Sequence, residues 1–173
     1  MADKIAFTAD KAQIISLWSS VFGDSVQDIT LFLDNCTHKK CLGYFAEDKL
    51  VSMIFIIDCS YCGKSGGYIY AVSTYSENRG RGYASKLISK AKNIGYDFLW
   101  LIPAQDSLFD YYKNLGFETK LYSDKKYENC IVFNESEEIC EYLYEGSDYE
   151  YPRGMVYSEQ HFQEGGTGFK VKE

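Results

Sequence analysis

The chain has 173 residues, enough for one domain with a sizeable core, and 46% of them are hydrophobic, with 16 Tyr and 11 Phe. Its formal net charge of −7 argues against nucleic acid and anionic membranes as partners, because both require a basic field. The longest nearly apolar run, LVSMIFII at 50–57, is far short of the roughly 20 residues that cross a bilayer, and the start MADKIAFTADK lacks the charged-then-apolar order of a secretory signal, so a cytoplasmic protein is expected.

In chain order, Thr8 is expected to cap a helix in which Ile14, Ile15, Leu17, Trp18, Val21 and Phe22 follow the helical period and which Gly23 ends. A second helix is expected over 24–36, capped by Asp24 or Ser25, with Ile29, Phe32, Leu33 and Cys36 on one face. Residues 41–48 and 49–59 read as an antiparallel hairpin turning at Glu47-Asp48. GKSGG at 63–67 reads as a second turn feeding a strand, YIYAVST, at 68–74. After a Gly- and Arg-rich loop, Ala84, Leu87, Ile88, Ala91 and Ile94 give a helix over 83–95, closed by Gly95.

FLWLIPA at 98–104 is apolar enough for a strand buried on both faces. Ser107 is expected to cap a helix over 108–115, with Gly116 as its C′ residue. Beyond Phe117, NCIVF at 129–133 reads as a strand, while 134–154 is acidic and Tyr-rich without a defined element. The glycines of EGGTGFKVKE, at the end, are expected to be exposed and mobile. The domain is thus drawn over 1–133, with 134–173 either completing it or beginning an extension.

The six cysteines, at 36, 41, 59, 62, 130 and 140, lie irregularly and are expected as reduced thiols. Cys59 and Cys62 have metal-like spacing, but with no His nearby they supply two of the four or so ligands a structural zinc needs, so no metal is expected. His38 and His161 read as surface residues.

The informative stretch is NRGRGYASKLI at 78–88, a bare basic loop at the head of a helix in an acidic protein. A helix N-terminus leaves backbone N–H groups unpaired and carries a partial positive charge. Glycines let those donors approach an anion, and Arg79 and Arg81 add charge and forked donors. The loop therefore suits a phosphate or pyrophosphate. It is not a P-loop, since no Gly-Lys-[Ser/Thr] frame surrounds Lys86, and GRGYAS puts Ser85 where a dinucleotide fingerprint needs its third glycine.

Arg79-x-x-Gly82-x-Ala84 directly after YIYAVST resembles the Arg/Gln-x-x-Gly-x-Gly/Ala signature of the GNAT superfamily of acyl-CoA-dependent N-acetyltransferases. Tyr112-Lys-Asn-Leu-Gly116-Phe117 is similar to the Tyr-x-x-x-Gly-Phe that ends the family's closing helix, and both motifs stand in the family's order. The resemblance covers about residues 3–120; the loop STYSENRGRGY and the Tyr-Tyr pair are also similar to the enhanced-intracellular-survival type of acetyltransferase, which continues into further domains.

The resemblance implies an α/β (α+β) fold with a central mixed, mostly antiparallel sheet and helices on both faces. It implies acetyl-CoA as co-substrate, with its pyrophosphate on Arg79, Gly80, Arg81, Gly82, Tyr83 and Ala84, its pantetheine arm along Val72, Ser73 and Thr74, and Ser107 as a further contact. Tyr112 would be the general acid for the leaving thiolate. Delivering a proton from a phenol of pKa near 10 to a thiolate near 8.5 is uphill by roughly 2 kcal/mol, so Tyr112 is expected to act largely as a positioned hydrogen-bond donor. The strand YIYAVST has no carboxylate, Asp58 and Glu77 lie near its ends, and a water relay is equally open, so no base is named. The expected function is transfer of acetyl to a primary amine on a small molecule or a protein, with neither nucleic acid nor membrane as partner and a homodimer compatible. The alternative is a non-catalytic acyl-CoA-binding or interaction module of the same fold.

Overall fold

A computed structural model describes residues 2–144 and 149–168. The remaining parts of the acidic and C-terminal stretches, 145–148 and 169–173, lie outside the described residues. The chain divides into two compact units, one reaching Ile57 and resuming over Ile69–Ile94, the other made of Asp58–Tyr68 and the chain from Gly95 on.

The first unit opens with a strand, β1 (Lys4–Thr8), where a helix cap was expected. It is short and its Phe7 is exposed, so what makes it a strand is its antiparallel pairing with β2 (Lys39–Ala46). The cap of α1 (Lys11–Phe22) is Asp10, whose carboxylate accepts from Gln13 N at 3.2 Å, while Thr8 Oγ1 accepts from Asp10 N. Ser25 caps α2 (Val26–Asn35) in the same way through Asp28 N. β2 pairs antiparallel with β3 (Lys49–Tyr61) across Glu47-Asp48, and both turn residues have positive φ, as a two-residue hairpin turn requires. The last part of β4 (Lys64–Thr74) lies beside β3, and α3 (Tyr83–Ala91) follows. The core is aromatic: Trp18 meets Phe32 at 5.3 Å and Phe55 at 5.5 Å, and Tyr70 closes the cluster 5.6 Å from Phe32.

β3 and β4 also run through the second unit, where β4 pairs in parallel with β5 (Phe98–Leu101) over Gly66–Tyr68. The strand β4 starts at Lys64, so the turn is only Cys62-Gly63, both at positive φ, and Gly66 and Gly67 are strand residues. Packing explains Gly66, because a Cβ there would come within 2.2 Å of the Phe98 ring. That ring is itself held by Phe162 at 5.1 Å and Tyr61 at 6.2 Å. Gly66→Ala is therefore expected to cost about 1–3 kcal/mol by overpacking. A thermal melt should show a fall of several degrees, and an unchanged midpoint would mean that the ring can move.

After α4 (Leu108–Asn114), β6 (Glu118–Tyr122) pairs antiparallel with β8 (Arg153–Tyr157), which also pairs antiparallel with β5. The expected strand at 129–133 shrinks to β7 (Val132–Phe133) on β3, and the undefined acidic stretch contains α5 (Glu137–Leu143), capped by Ser136. Gly165 and Gly166, expected exposed and mobile, form β9 and are buried. They pair with β6, and a Cβ at Gly165 would strike the Tyr61 hydroxyl at 2.2 Å. The named pairings are thus antiparallel apart from β4–β5 and β6–β9. Among the described residues, no helix is long and apolar enough to cross a membrane.

Candidate functional site

β4 carries an uncommon backbone feature before it reaches the loop. Ala71 has φ +53, a left-handed conformation that an alanine inside a strand adopts only under tertiary constraint. Two residues on, the buried Ser73 donates its hydroxyl to Ala71 O at 2.8 Å. Thr74 Oγ1 shares a hydrogen bond with Ser52 of β3 at 2.8 Å, and Tyr75 N donates to Val51 O at 3.1 Å, so β3 holds this end of the strand. The parallel ladder to β5 covers only Gly66–Tyr68, so Val72, Ser73 and Thr74 lie outside it.

The chain then makes a short 3-10 turn at Ser76–Asn78 and enters the loop. Arg79 Nε donates to Thr74 O at 3.2 Å, which ties the loop back to the end of β4. Gly80 and Gly82 have φ +79 and +75, and a Cβ on either would meet no protein atom within 4 Å. Gly82 is the N-cap of α3 and offers no side-chain cap. The first intrahelical bond is Lys86 N to Gly82 O at 3.1 Å, so the N–H groups of Tyr83 and Ala84 precede it. An uncapped helix head with bare glycines and two exposed arginines is a donor-rich, cationic surface that an anion can approach closely. Tyr83 differs from its loop neighbours: its ring is buried, so only its backbone faces this chemistry.

In the second unit the closing motif is a helix stop. Gly116 has φ +95, Gly116 N donates to Lys113 O at 3.0 Å, and Phe117 N donates to Tyr112 O at 3.1 Å. These are the paired bonds of a Schellman ending, and the accompanying apolar contact is Tyr112 on Phe117, ring centroids 6.1 Å apart. The Tyr-x-x-x-Gly-Phe spacing is thus the spacing of the two ends of that motif. Tyr112 is buried, and burial first, then the neighbouring Tyr111, pushes its phenol well above the ordinary range. It is a proton-bearing donor throughout the physiological range.

Ser107 stands at the head of α4 but makes no side-chain cap, contrary to expectation. Its backbone is already helical, at φ −63 and ψ −18, whereas a capping side chain needs an extended backbone. Of the two carboxylates near the ends of YIYAVST, Asp58 accepts the Tyr96 hydroxyl in the second unit. Glu77, in the first, is exposed and held below the ordinary range, chiefly by a hydrogen bond from its own backbone and then by Ser76. The Glu77 environment thus works against the raised carboxylate that a general base near neutral pH needs. Burial pushes the Cys59 thiol up to about 12, Cys62 sits in the hairpin turn, and His38 and His161 are exposed, as expected. None of the six cysteines is in a disulfide.

The family model described as an acetyltransferase (GNAT) domain matches residues 4–120. A conserved Enterococcus faecalis V583 protein of unknown function, described as a probable N-acyltransferase, has TM-score 0.59 and 14% identity over 70% of this chain and 34% of its own. An aminoglycoside 6'-acetyltransferase type Ii has TM-score 0.62 and 15% identity over 92% and 99%. A GNAT family acetyltransferase from Elizabethkingia anophelis, with acetyl-CoA bound, has 0.60 and 12% over 90% and 97%. The chain spans about a third of the E. faecalis protein, and at these identities the likeness to the solved structures is one of fold. No curated protein is significantly similar in sequence.

Proposed function

This chain belongs to the GNAT acetyltransferase family, and from that premise we propose that it moves an acetyl group from acetyl-CoA to a primary amine. The observation that carries the reading is the head of α3, where two positive-φ glycines and an absent side-chain cap leave amides for a pyrophosphate, flanked by Arg79 and Arg81. In the reaction the amine nitrogen attacks the thioester carbonyl, the carbon–sulfur bond breaks, and CoA leaves as a thiolate. Val72, Ser73 and Thr74 are the backbone assigned to the pantetheine arm, Ser107 is a further contact, and Tyr112 donates a hydrogen bond to the leaving sulfur. An amine of pKa near 10 must lose a proton first. The last part of β4 carries no carboxylate, so that proton passes either to a carboxylate near the strand's ends, Asp58 or Glu77, or to water.

Acetyl-CoA is expected to stabilise the fold by about 2.7 kcal/mol at a hundred times its dissociation constant. A thermal shift titration checks this, and no shift at millimolar acetyl-CoA would remove the assignment. The missing strand carboxylate also favours a second reading, an acyl-CoA-binding module without chemistry. Consumption of the thioester with a panel of small and peptide amines separates the two: binding without turnover for any amine supports the second.

A further inference from the structure

The head of α3 has a mechanical problem. The helix is nine residues long, has no side-chain cap, and starts from a glycine in a left-handed conformation. A helix this short is marginal by itself, and its first turn is where it frays. A fraying turn cannot present fixed amides to an anion.

One contact set addresses this turn. The ring of Tyr83, the first helical residue, lies flat on the ring of Tyr44 from β2, centroids 3.9 Å apart and planes 18° apart. Both are nearly buried, at 8% and 6% exposure. Tyr44 is fixed at its other end, where its hydroxyl donates to Asp3 Oδ2 at 2.9 Å. Asp3 immediately precedes β1, whose Ile5 is paired with Tyr44 in the ladder. The β2–β3 register shifts between Tyr44 and Phe45, an irregularity of the kind that re-aims a side chain. Lys86, one turn along α3, brings its ammonium to 5.8 Å from the Tyr44 centroid and 6.0 Å from that of Tyr83. The stack is therefore held from β1, β2 and α3 together, and burial followed by Asp3 keeps the Tyr44 phenol protonated as a donor.

We propose that Tyr44 is a positioning residue for the acetyl-CoA loop: oriented by Asp3, its ring clamps Tyr83 and so holds the first-turn amides of α3 in place for the pyrophosphate. The inference rests on the acetyl-CoA reading of the loop. It assigns the hydroxyl and the ring separate parts. The ring does the clamping, so phenylalanine should serve nearly as well; the hydroxyl only selects the ring's orientation.

The test compares Tyr44→Leu, Tyr44→Phe and Tyr83→Leu by hydrogen exchange of the free protein and by acetyl-CoA titration calorimetry. Loss of one stacked aromatic pair corresponds to about a tenfold change. Tyr44→Leu should speed exchange at Lys86 and Leu87 by about that factor and leave Ala91 and Lys92 at the other end of α3 unchanged. It should also weaken acetyl-CoA about tenfold, while kcat at saturating acetyl-CoA holds. Tyr44→Phe should stay within about threefold on both readouts. Tyr83→Leu removes the same stack from the helix side and should reproduce the exchange pattern, which covers the case that Tyr44→Leu does not fold. Uniform acceleration along α3 would make Tyr44 a core residue only and overturn the proposal, as would unchanged acetyl-CoA affinity in a folded Tyr44→Leu. If the native protein binds no acetyl-CoA, the functional reading falls and the ligand part of the inference with it, whereas the exchange pattern still decides whether Tyr44 holds the helix head.

Discussion

Gly82→Val is expected to abolish acetyl-CoA binding while leaving a folded protein. Gly82 has φ +75, where any side chain is strained and a β-branched one most of all, at about 1–2 kcal/mol or more. A Cβ there meets no protein atom within 4 Å, so the added methyl groups would stand in open space at the helix head rather than clash with the core. That space is where a phosphate must come to reach the amides of Tyr83 and Ala84, so the substitution both strains the cradle and fills it. Gly82→Ala keeps the strain with less bulk and should fall between the native protein and Gly82→Val. Arg81→Ala removes an exposed, salt-screened charge and should cost only a few-fold in affinity. Calorimetry with circular dichroism as the folding control checks the series; equal small losses from Gly82→Val and Arg81→Ala would show that the loop is not the cradle.

Tyr112→Phe should lower kcat by about 10²-fold or more with little change in acetyl-CoA affinity, because it deletes a hydroxyl donor and leaves the ring's packing on Phe117 in place. Tyr111→Phe is the control. The two residues are neighbours on α4, so their side chains project about 100° apart. Tyr112 is buried and Tyr111 is 36% exposed. Burial raises the Tyr112 phenol, which makes full proton delivery to a thiolate still more uphill and favours a donated hydrogen bond. The sign is clear for pH: a phenol raised above its ordinary pKa near 10 stays protonated below that value, so Tyr112 should cause no alkaline loss of activity up to about pH 10. Rates must be taken on a confirmed acceptor with chemistry limiting. Full activity in Tyr112→Phe with loss in Tyr111→Phe would mean that the motif is read one residue out of register.

Much of the candidate site was legible because it is written in local backbone chemistry. Glycines at 80 and 82 that must take positive φ, a helix beginning directly after them, and the Tyr112, Gly116 and Phe117 spacing of a helix stop are each satisfied within a few residues of chain. The same holds for the Glu47-Asp48 turn. Ser107 departs from the expected cap for a related reason: the residue type favours a cap, but capping depends on a backbone angle that is already helical there.

The chain's sequence alone therefore determined the family motifs, the loop's bare, cationic character and the alternation of most elements, since these depend on residues near one another. Tertiary structure decided what depends on partners far along the chain. β1 is a strand because β2 pairs with it, Gly66 is a strand residue because Phe98 occupies the place of a side chain, and Gly165 is buried because Tyr61 does the same. Ala71 turns left-handed with no residue type to announce it. The Tyr44–Tyr83 clamp and its anchor Asp3 belong to this second class, because rings and hydrogen bonds pair by position in space, and 41 residues separate Asp3 from the hydroxyl that it holds.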